Sequence, residues 1–257
     1  MKTDLSPIDV LPQLPQAWRT ATWQPLDGGL SNRNWLLECE DRKAVLKIDE
    51  SPRQPPFNTR HQEALVQASA ADRGLANAVL HADGQVYLTE YVEGTVWQAS
   101  SFNNAGNLRD LAAALRRLHA LPLTGRRFDS RSAATGYAAT IKQEGEAVER
   151  CLDIVKAMPE PRQRCCCHND LVAENILSAP GIRFLDWEYS CDNDPLFDLA
   201  TIVEHHQLPE QQVSILLNAY FDGDGERWRA RLVEQRRHYA ALLWLWAASR
   251  PEQCAEK

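Results

Sequence analysis

The segment from residue 168 to residue 175 reads His-Asn-Asp-Leu-Val-Ala-Glu-Asn and combines side chains that could do chemistry. It contains Asp170 and Asn175, and a second aspartate, Asp186, follows eleven residues after Asn175. Carboxylate and amide oxygens suit a Mg²⁺ ion that keeps water ligands and bridges nucleotide phosphates. Asp170, just upstream, would then lie within reach of a substrate hydroxyl. Phosphoryl transfer can use this spacing.

Two short apolar runs flank a Pro-Gly turn between Asn175 and Asp186. The runs cover residues 176–178 and 182–185, and Ala179-Pro180-Gly181 separates them. This pattern predicts a β-hairpin. Because the first strand of a hairpin starts beside the end of the second, we expect Asn175 and Asp186 at the same open edge. The sequence therefore predicts a Mg²⁺ site formed by these two side chains.

The longer string CHND…EN…LDWEY…DPLFDLA, from Cys167 to Ala200, resembles the choline kinase, thiamine kinase and aminoglycoside phosphotransferase superfamily. The resemblance implies an ATP- and Mg²⁺-dependent kinase in which Asp170 orients and deprotonates the acceptor hydroxyl. It also implies an α+β, two-lobed protein-kinase-like fold, with a small antiparallel-sheet lobe and a larger, mainly helical lobe. Asp198 resembles the family aspartate that binds the backbone of the catalytic loop.

The pattern of the chain changes near residue 94, which predicts a small nucleotide-binding lobe at 1–94 and a large catalytic lobe at 95–257. Strands are expected at 22–26, 34–39, 44–48, 79–82 and 85–91, with a helix at 58–72 and Asp83-Gly84 as a two-residue hairpin turn. Later helices are expected around Leu108–Leu118 and at 133–156, 195–207, 209–221 and 225–249. Asp194 should cap the helix that begins at Pro195.

The segment between the first two predicted strands contains Gly28, Gly29, Ser31 and Asn32. Paired glycines let a backbone approach an anion closely, and the two polar side chains add donors. A Gly-Gly pair between strands also occurs in ordinary hairpins, and this one is neither a Walker A motif nor a full GxGxxG. The segment resembles the GG-x-(S/T)-N loop of choline-kinase-like proteins, which implies contact with the nucleotide.

Lys47 is expected to face away from its apolar neighbours on the predicted strand and to reach the nucleotide phosphates. Glu63, in the following helix, is its natural counter-ion in a kinase-like arrangement, although His61 and Arg60 are close enough to blur that assignment. In the family, the connector between the lobes supplies a backbone carbonyl and amide to adenine. By position these would come from Glu90 and Val92.

Composition narrows the range of partners. The chain has 257 residues, a formal net charge of −7 and a pI of about 5.5, which argues against a nucleic-acid backbone or an anionic membrane as the main partner. The longest apolar run, from Ala240 to Ala248, is far shorter than the roughly 20 residues that span a bilayer. We expect a cytoplasmic protein with a small-molecule substrate. The oligomeric state has no signature in the sequence.

Seven cysteines without a framework spacing suit reduced thiols. Cys165–Cys167 is predicted to be a short buried strand that leads into the catalytic loop. Consecutive side chains on a strand alternate between faces, so three consecutive thiols cannot close on one metal ion. His119 lies beside an apolar stripe and is interpreted as a packing histidine.

The substrate is the least defined part of the hypothesis. The C-terminal helix resembles the Trp-rich helix of choline kinases, whose aromatic faces bind a quaternary ammonium. Trp244 and Trp246 point to nearly opposite sides of a helix, so only one can face the cleft. Trp246 is the choice, and core packing of both tryptophans is the alternative. Glu188, near the acidic residues Asp192 and Asp194, could contact a second Mg²⁺, a substrate cation or solvent. Choline or a related amino alcohol is the preferred acceptor, followed by thiamine and then an amino sugar; a nucleotide-binding pseudokinase is the non-catalytic alternative.

Overall fold

The computed structural model describes residues 5–26, 33–49, 53, 58–142 and 145–250. The chain divides into two compact units. The N-terminal unit comprises Met1–Val96 with Ile176–Ser190, and the C-terminal unit comprises Trp97–Asn175 with Cys191–Lys257. The sequence places 176–190 in the large lobe, but this segment belongs to the N-terminal unit: the backbone N–H of Phe184 donates to the Leu75 carbonyl at 2.7 Å, and the Asn58 side chain donates to the Trp187 carbonyl at 3.1 Å.

The N-terminal unit contains a five-stranded antiparallel sheet in the order β1-β2-β3-β5-β4. Its strands are β1 (Thr22–Leu26), β2 (Arg33–Cys39), β3 (Arg42–Ile48), β4 (Val79–Asp83) and β5 (Val86–Glu90). All five predicted strands are confirmed. In β3, Ala44, Leu46 and Ile48 are fully buried while Lys47 remains partly exposed, so alternation places the lysine opposite the apolar face.

The turn between β4 and β5 differs by one residue from the prediction. Asp83 pairs with Val86, so the two-residue loop is Gly84-Gln85 and not Asp83-Gly84. Gly84 has a φ of 45°. A type II′ turn needs positive φ at its first central residue, which explains why the glycine and not the aspartate occupies that position.

Among the described residues of the N-terminal unit, the α-helices are α1 (Pro7–Val10) and α2 (Arg60–Ala71). The sequence predicted α2 to within two residues and did not predict α1. Thr59 caps α2: its hydroxyl accepts from the backbone N–H of Gln62 at 3.2 Å, and the Gln62 side chain accepts from the N–H of Thr59 at 3.0 Å. This reciprocal capping box fixes where the helix begins.

The predicted hairpin after Asn175 is confirmed within the N-terminal unit. It consists of β8 (Ile176–Ala179) and β9 (Gly181–Phe184), with Ile176 opposite Phe184. The turn is shorter than expected, since Ala179 pairs with Gly181 and only Pro180 lies between the strands. Strand β6 (Thr95–Val96) pairs with β8 and completes a three-stranded sheet.

The C-terminal unit is mostly helical. Its helices are α3 (Ala105–His119), α4 (Ser130–Ala138), α5 (Glu146–Ala157), α6 (Pro195–His205), α7 (Glu210–Tyr220) and α8 (Arg229–Ala248), and its two short strands are β7 (Cys165–Cys167) and β10 (Cys191–Asn193). The four leucines of the predicted stripe on α3 are fully buried. Asp194 caps α6 by accepting from the N–H of Leu196 at 3.0 Å, as predicted. In the described part of the chain, no helix is both long and apolar enough to cross a membrane.

The single helix predicted over 133–156 is wrong, because two helices, α4 and α5, occupy that region. Helix α4 ends near Ala139, where the Thr140 hydroxyl donates to the carbonyl of Tyr137 at 2.8 Å. Gly145 then precedes α5 with an extended φ of −176°. A polar, alanine-rich stretch reads as helix throughout, but glycine is a poor helix former, and Gly145 lies outside the helix as the residue before α5.

Gly94 lies where the chain enters β6 and has no room for a side chain. A Cβ atom at this position would lie 2.5 Å from the carbonyl oxygen of Ser178 and 3.0 Å from the Leu177 side chain. We expect Gly94→Ala to lower the free energy of unfolding by about 1–3 kcal/mol, since overpacking forces the hairpin to shift.

The matched control is Gly136→Ala in α4, where a Cβ would meet nothing within 4 Å. That change should leave stability equal or raise it by about 0.5–1 kcal/mol. Urea unfolding midpoints at an unchanged slope measure both. Equal midpoints for Gly94→Ala and the wild type would contradict the close approach.

Candidate active site

Asp198 organises the loop that carries the predicted catalytic aspartate. Its side chain is fully buried. One carboxylate oxygen accepts from the backbone N–H of Asn169 at 2.7 Å, and the other accepts from the N–H of His168 at 2.9 Å and lies 3.0 Å from His119 Nε2. The predicted support role of Asp198 is confirmed.

Asn169 gives the loop its sharp turn. It has a φ of 66°, a left-handed conformation that asparagine tolerates better than most residues. Its side-chain oxygen accepts from Asn193 Nδ2 at 2.8 Å, and its nitrogen donates to Cys191. These bonds hold the conformation in place and set the direction in which the next residue, Asp170, leaves the backbone.

Asn175 is bonded to Asp170. Its Nδ2 donates to the carboxylate Oδ2 of Asp170 at 3.1 Å and to the backbone carbonyl of Asp170 at 2.9 Å. Both bonds use the amide nitrogen, and the amide oxygen is the atom that could ligate a cation. Asn175 therefore orients the predicted catalytic carboxylate, a function that sequence spacing alone did not reveal.

The second predicted metal ligand, Asp186, is paired with Lys47 in the N-terminal unit. Lys47 Nζ lies 2.9 Å from Asp186 Oδ1. Asp186 has a φ of 61°, again in the left-handed region. Burial alone would raise the pKa of the Asp186 carboxyl, but the charge and hydrogen bond of Lys47, with help from Arg53 and Arg60, bring that pKa below its ordinary value. Asp186 is therefore ionised and already binds one cation.

Glu63 is not the counter-ion of Lys47, which corrects the sequence-based assignment. Its Oε2 accepts from Arg60 at 2.8 Å and from Arg53 at 3.1 Å. Arg60 also forks onto both oxygens of Asp49, at 2.7 and 2.8 Å. Arg60 lies three residues before Glu63 on α2, a spacing at which side chains meet, so the sequence held a signal for this pair. It held none for Arg53 or Asp49.

Glu188 belongs to the same buried network. Arg53 lies 3.0 Å from its Oε2. Burial, followed by the charge of Asp186, raises the pKa of Glu188 to about 7. The structure thus gives Glu188 an internal arginine partner, whereas the sequence had suggested a metal ion, a substrate cation or solvent.

Asp192 and Asp194, which follow Glu188 in the sequence, also have partners within the protein. Asp192 accepts from the backbone N–H groups of Thr124 and Gly125, at 2.7 and 3.0 Å. Asp194 caps α6 and pairs with Arg231 at 2.6 Å. The acidic cluster formed by Glu188, Asp192 and Asp194 is therefore bonded within the protein. It no longer supports a cationic substrate.

The aromatic end of α8 places a cation over one tryptophan. The guanidinium carbon of Arg250 lies 4.8 Å from the ring centroid of Trp246. Trp244 is 41% exposed, which contradicts the core-packing alternative for that tryptophan, whereas Tyr239, Leu242 and Leu245 are buried.

Asp170 acts electrostatically on two tyrosines of the C-terminal unit. Burial, followed by the negative charge of Asp170, raises the pKa of Tyr239. The pKa of Tyr137 is raised by burial, with opposing contributions from Arg250 and Asp170. The charge of Asp170 therefore contributes to the pKa of both tyrosines. Arg250, which lies over the Trp246 ring, contributes to the pKa of Tyr137.

The contacts in the structure do not test the remaining residues that the sequence assigns to nucleotide binding. Gly28, Gly29, Ser31 and Asn32 lie outside the described residues. The backbone N–H of Glu90 donates to the Ala78 carbonyl at 2.8 Å, and its carbonyl accepts from Asn77 at 3.2 Å. Val92 is half-buried. The adenine contact assigned to Glu90 and Val92 stays a prediction.

Residues 22–242 match the model of the phosphotransferase enzyme family. The chain belongs to this family. Protein LicA of Haemophilus influenzae is 31% identical over 207 residues, which cover 75% of this chain and 61% of LicA, so the match spans less than two thirds of that relative. Thiamine kinase of Salmonella newport is 29% identical over 200 residues, covering 75% of this chain and 68% of the kinase.

Solved structures give the same family relation. A choline/ethanolamine kinase family protein from Mesorhizobium loti superimposes with a TM-score of 0.72 at 25% identity, covering 95% of this chain and 85% of the other. LicA in complex with AMP superimposes with a TM-score of 0.76 at 21% identity, covering 96% and 89%. The predicted family and the kinase-like fold are confirmed.

Proposed function

We propose that this phosphotransferase is an ATP- and Mg²⁺-dependent kinase that phosphorylates the hydroxyl of a small cationic alcohol, choline or a related amino alcohol. The observation that carries the proposal is the bond between Asn175 and Asp170 on a loop that Asp198 orders. A carboxylate held at a fixed orientation can accept the proton of an attacking hydroxyl. The cytoplasmic location expected from the sequence belongs to the same proposal, because ATP is available there.

The donor set fits Mg²⁺, because Asp186 supplies an ionised carboxylate that already binds an ammonium group, and Asn175 supplies an amide oxygen. These two residues would hold the metal, which when bound neutralises phosphate charge. Lys47 would exchange its bond to Asp186 for the nucleotide phosphates. Residues Gly28, Gly29, Ser31 and Asn32 would contact those phosphates, and Glu90 and Val92 the adenine.

The substrate class rests on the relatives and on one aromatic ring. Relatives named as choline and ethanolamine kinases favour an amino alcohol, and Trp246 already carries a cation on its face. The thiamine kinase relative keeps thiamine as the second candidate. A phosphate-transfer assay with choline, ethanolamine, thiamine and amino sugars separates these candidates. Nucleotide binding without any transfer would favour the pseudokinase alternative.

Asp170→Asn tests the proposed base. The variant should keep its fold and its nucleotide affinity but lose turnover by about 10²–10⁴, because the amide cannot accept the hydroxyl proton. The assay compares kcat with nucleotide Kd and Tm in the same preparation. Near-normal kcat would remove Asp170 from this role.

Asp186→Ala tests the proposed metal site. We expect turnover to fall by about 10³ or more, since a metal ion supplies several kcal/mol of transition-state stabilisation. Excess Mg²⁺ should rescue it poorly. Asp222→Ala, at a surface aspartate that is 83% exposed, is the control and should behave like the wild type. Ordinary Mg²⁺-dependent turnover in Asp186→Ala would contradict the assignment.

Trp246→Leu tests the cationic substrate. The change keeps apolar bulk but removes a ring face worth about 0.5–2 kcal/mol to a cation, so KM for the alcohol should rise several-fold while KM for ATP stays nearly fixed. Trp244→Leu, at the exposed neighbouring tryptophan, is the matched control and should change neither value. A neutral isostere with carbon in place of nitrogen should be a much poorer substrate. Equal kcat/KM for the charged and neutral alcohols would overturn the cation pocket and favour a sugar acceptor.

A further inference from the structure

The face of β7 opposite Cys166 brings two thiols together. Cys165 and Cys167 are two residues apart on this strand, so their side chains share a face, and their sulfur atoms are 3.5 Å apart. Two Zn–S bonds of about 2.3 Å at a tetrahedral angle place their sulfurs about 3.8 Å apart. The pair thus already has nearly the spacing that one tetrahedral ion requires.

His119 supplies a third ligand from the C-terminal turn of α3. One of its ring nitrogens and the sulfurs of Cys165 and Cys167 all lie within 4.8 Å of one another. Cys166 points away from Cys165 and Cys167, so the three consecutive thiols of β7 do not bind one ion, as the sequence predicts. The sequence alone does not reveal His119 as a third ligand, because nothing in local spacing links residue 119 to residue 165.

The surroundings of His119 resemble those of a metal-binding histidine. Its Nε2 lies 3.0 Å from Asp198, and its Nδ1 lies 2.6 Å from the Tyr220 hydroxyl. A carboxylate that accepts from one ring nitrogen fixes the tautomer and leaves the lone pair of the other nitrogen for a metal. With Nε2–H donating to Asp198, Nδ1 is that nitrogen, and the Tyr220 hydroxyl would move aside or become the fourth ligand.

We propose that His119, Cys165 and Cys167 form a binding site for one soft divalent ion of the Zn²⁺ or Cd²⁺ type. Two thiolates and an imidazole favour such ions over Mg²⁺, which prefers oxygen ligands. Binding releases the thiol protons, which now point to the carbonyls of Asn193 and Asp194 at 3.8 and 3.7 Å. Because those protons must leave before the metal binds, affinity should increase with pH.

Occupancy would also reach the catalytic loop. Cys167 immediately precedes His168, and His119 shares Asp198 with the backbone N–H groups of His168 and Asn169. An ion that draws His119 and Cys167 together would disturb the anchor of Asp170. We therefore expect micromolar Zn²⁺ to reduce phosphate transfer, a consequence that rests on the proposed function.

Cadmium titration of the full chain without nucleotide tests the site directly. We expect an ultraviolet thiolate-to-Cd²⁺ charge-transfer band that saturates at one ion per chain and tightens as pH rises. Cys165→Ser should weaken binding at least about tenfold and reduce the band. Cys166→Ser, on the same strand but the opposite face, is the matched control and should bind like the wild type. Equal binding by the wild type and Cys165→Ser would overturn the site.

Zn²⁺ inhibition of phosphate transfer, with Mg²⁺ in excess, tests the link to the loop. The wild type should be inhibited, while Cys165→Ser should keep its activity at the same Zn²⁺ concentration. Cadmium binding without Zn²⁺ inhibition would overturn the link to the loop. A chain that transfers no phosphate to any alcohol would overturn the proposed function, and the cadmium titration would still decide the metal site.

Discussion

The catalytic loop depends on one buried carboxylate. Asp198 is fully removed from solvent, and a charge in that position is tolerated only if hydrogen-bond donors surround it. Two of its donors are backbone N–H groups of residues 168 and 169, so satisfying the charge also fixes the loop. The left-handed turn at Asn169 follows, and it directs Asp170 toward the amide of Asn175. A structural requirement of the C-terminal unit thus produces the geometry that the proposed proton transfer would use.

The N-terminal unit meets a similar requirement with a different set of charges. Arg53 and Arg60 are buried among Asp49, Glu63 and Glu188, and each guanidinium contacts more than one carboxylate. Removing any member would leave an uncompensated buried charge. Because two arginines already occupy Glu63, Lys47 is left to Asp186. The residue order resembles a protein kinase, but the ion pairs are distributed differently among these positions.

Local signals predicted most of the fold. Alternation identified the strands, Asp194-Pro195 identified the start of α6, and the Pro-Gly turn identified the hairpin after Asn175. Predictions failed where distant segments decide the outcome. The carboxylate of Asp192 accepts from residues 124 and 125, which no local pattern could indicate. The same holds for the contact of Glu188 with Arg53 and for the proximity of His119 to Cys165. The break between α4 and α5 is different, because Gly145 is a local signal for it, but the helix-forming residues around Gly145 favour one continuous helix.

The internal bonds of the acidic cluster affect which cation the proposed kinase would prefer. Primary ammonium groups are best recognised by carboxylates, which accept their N–H bonds, whereas a quaternary ammonium has no such donor and gains most from aromatic faces. Glu188, Asp192 and Asp194 are all bound internally, but the Trp246 ring already carries a cation, and Tyr137 and Tyr239 sense the charge of Asp170. A substrate site at the Trp246 face, with these carboxylates bound elsewhere, would favour a quaternary ammonium. Under the proposed function, this reasoning would place choline above ethanolamine and above amino sugars as the acceptor, although the net charge of −7 by itself would not distinguish among them.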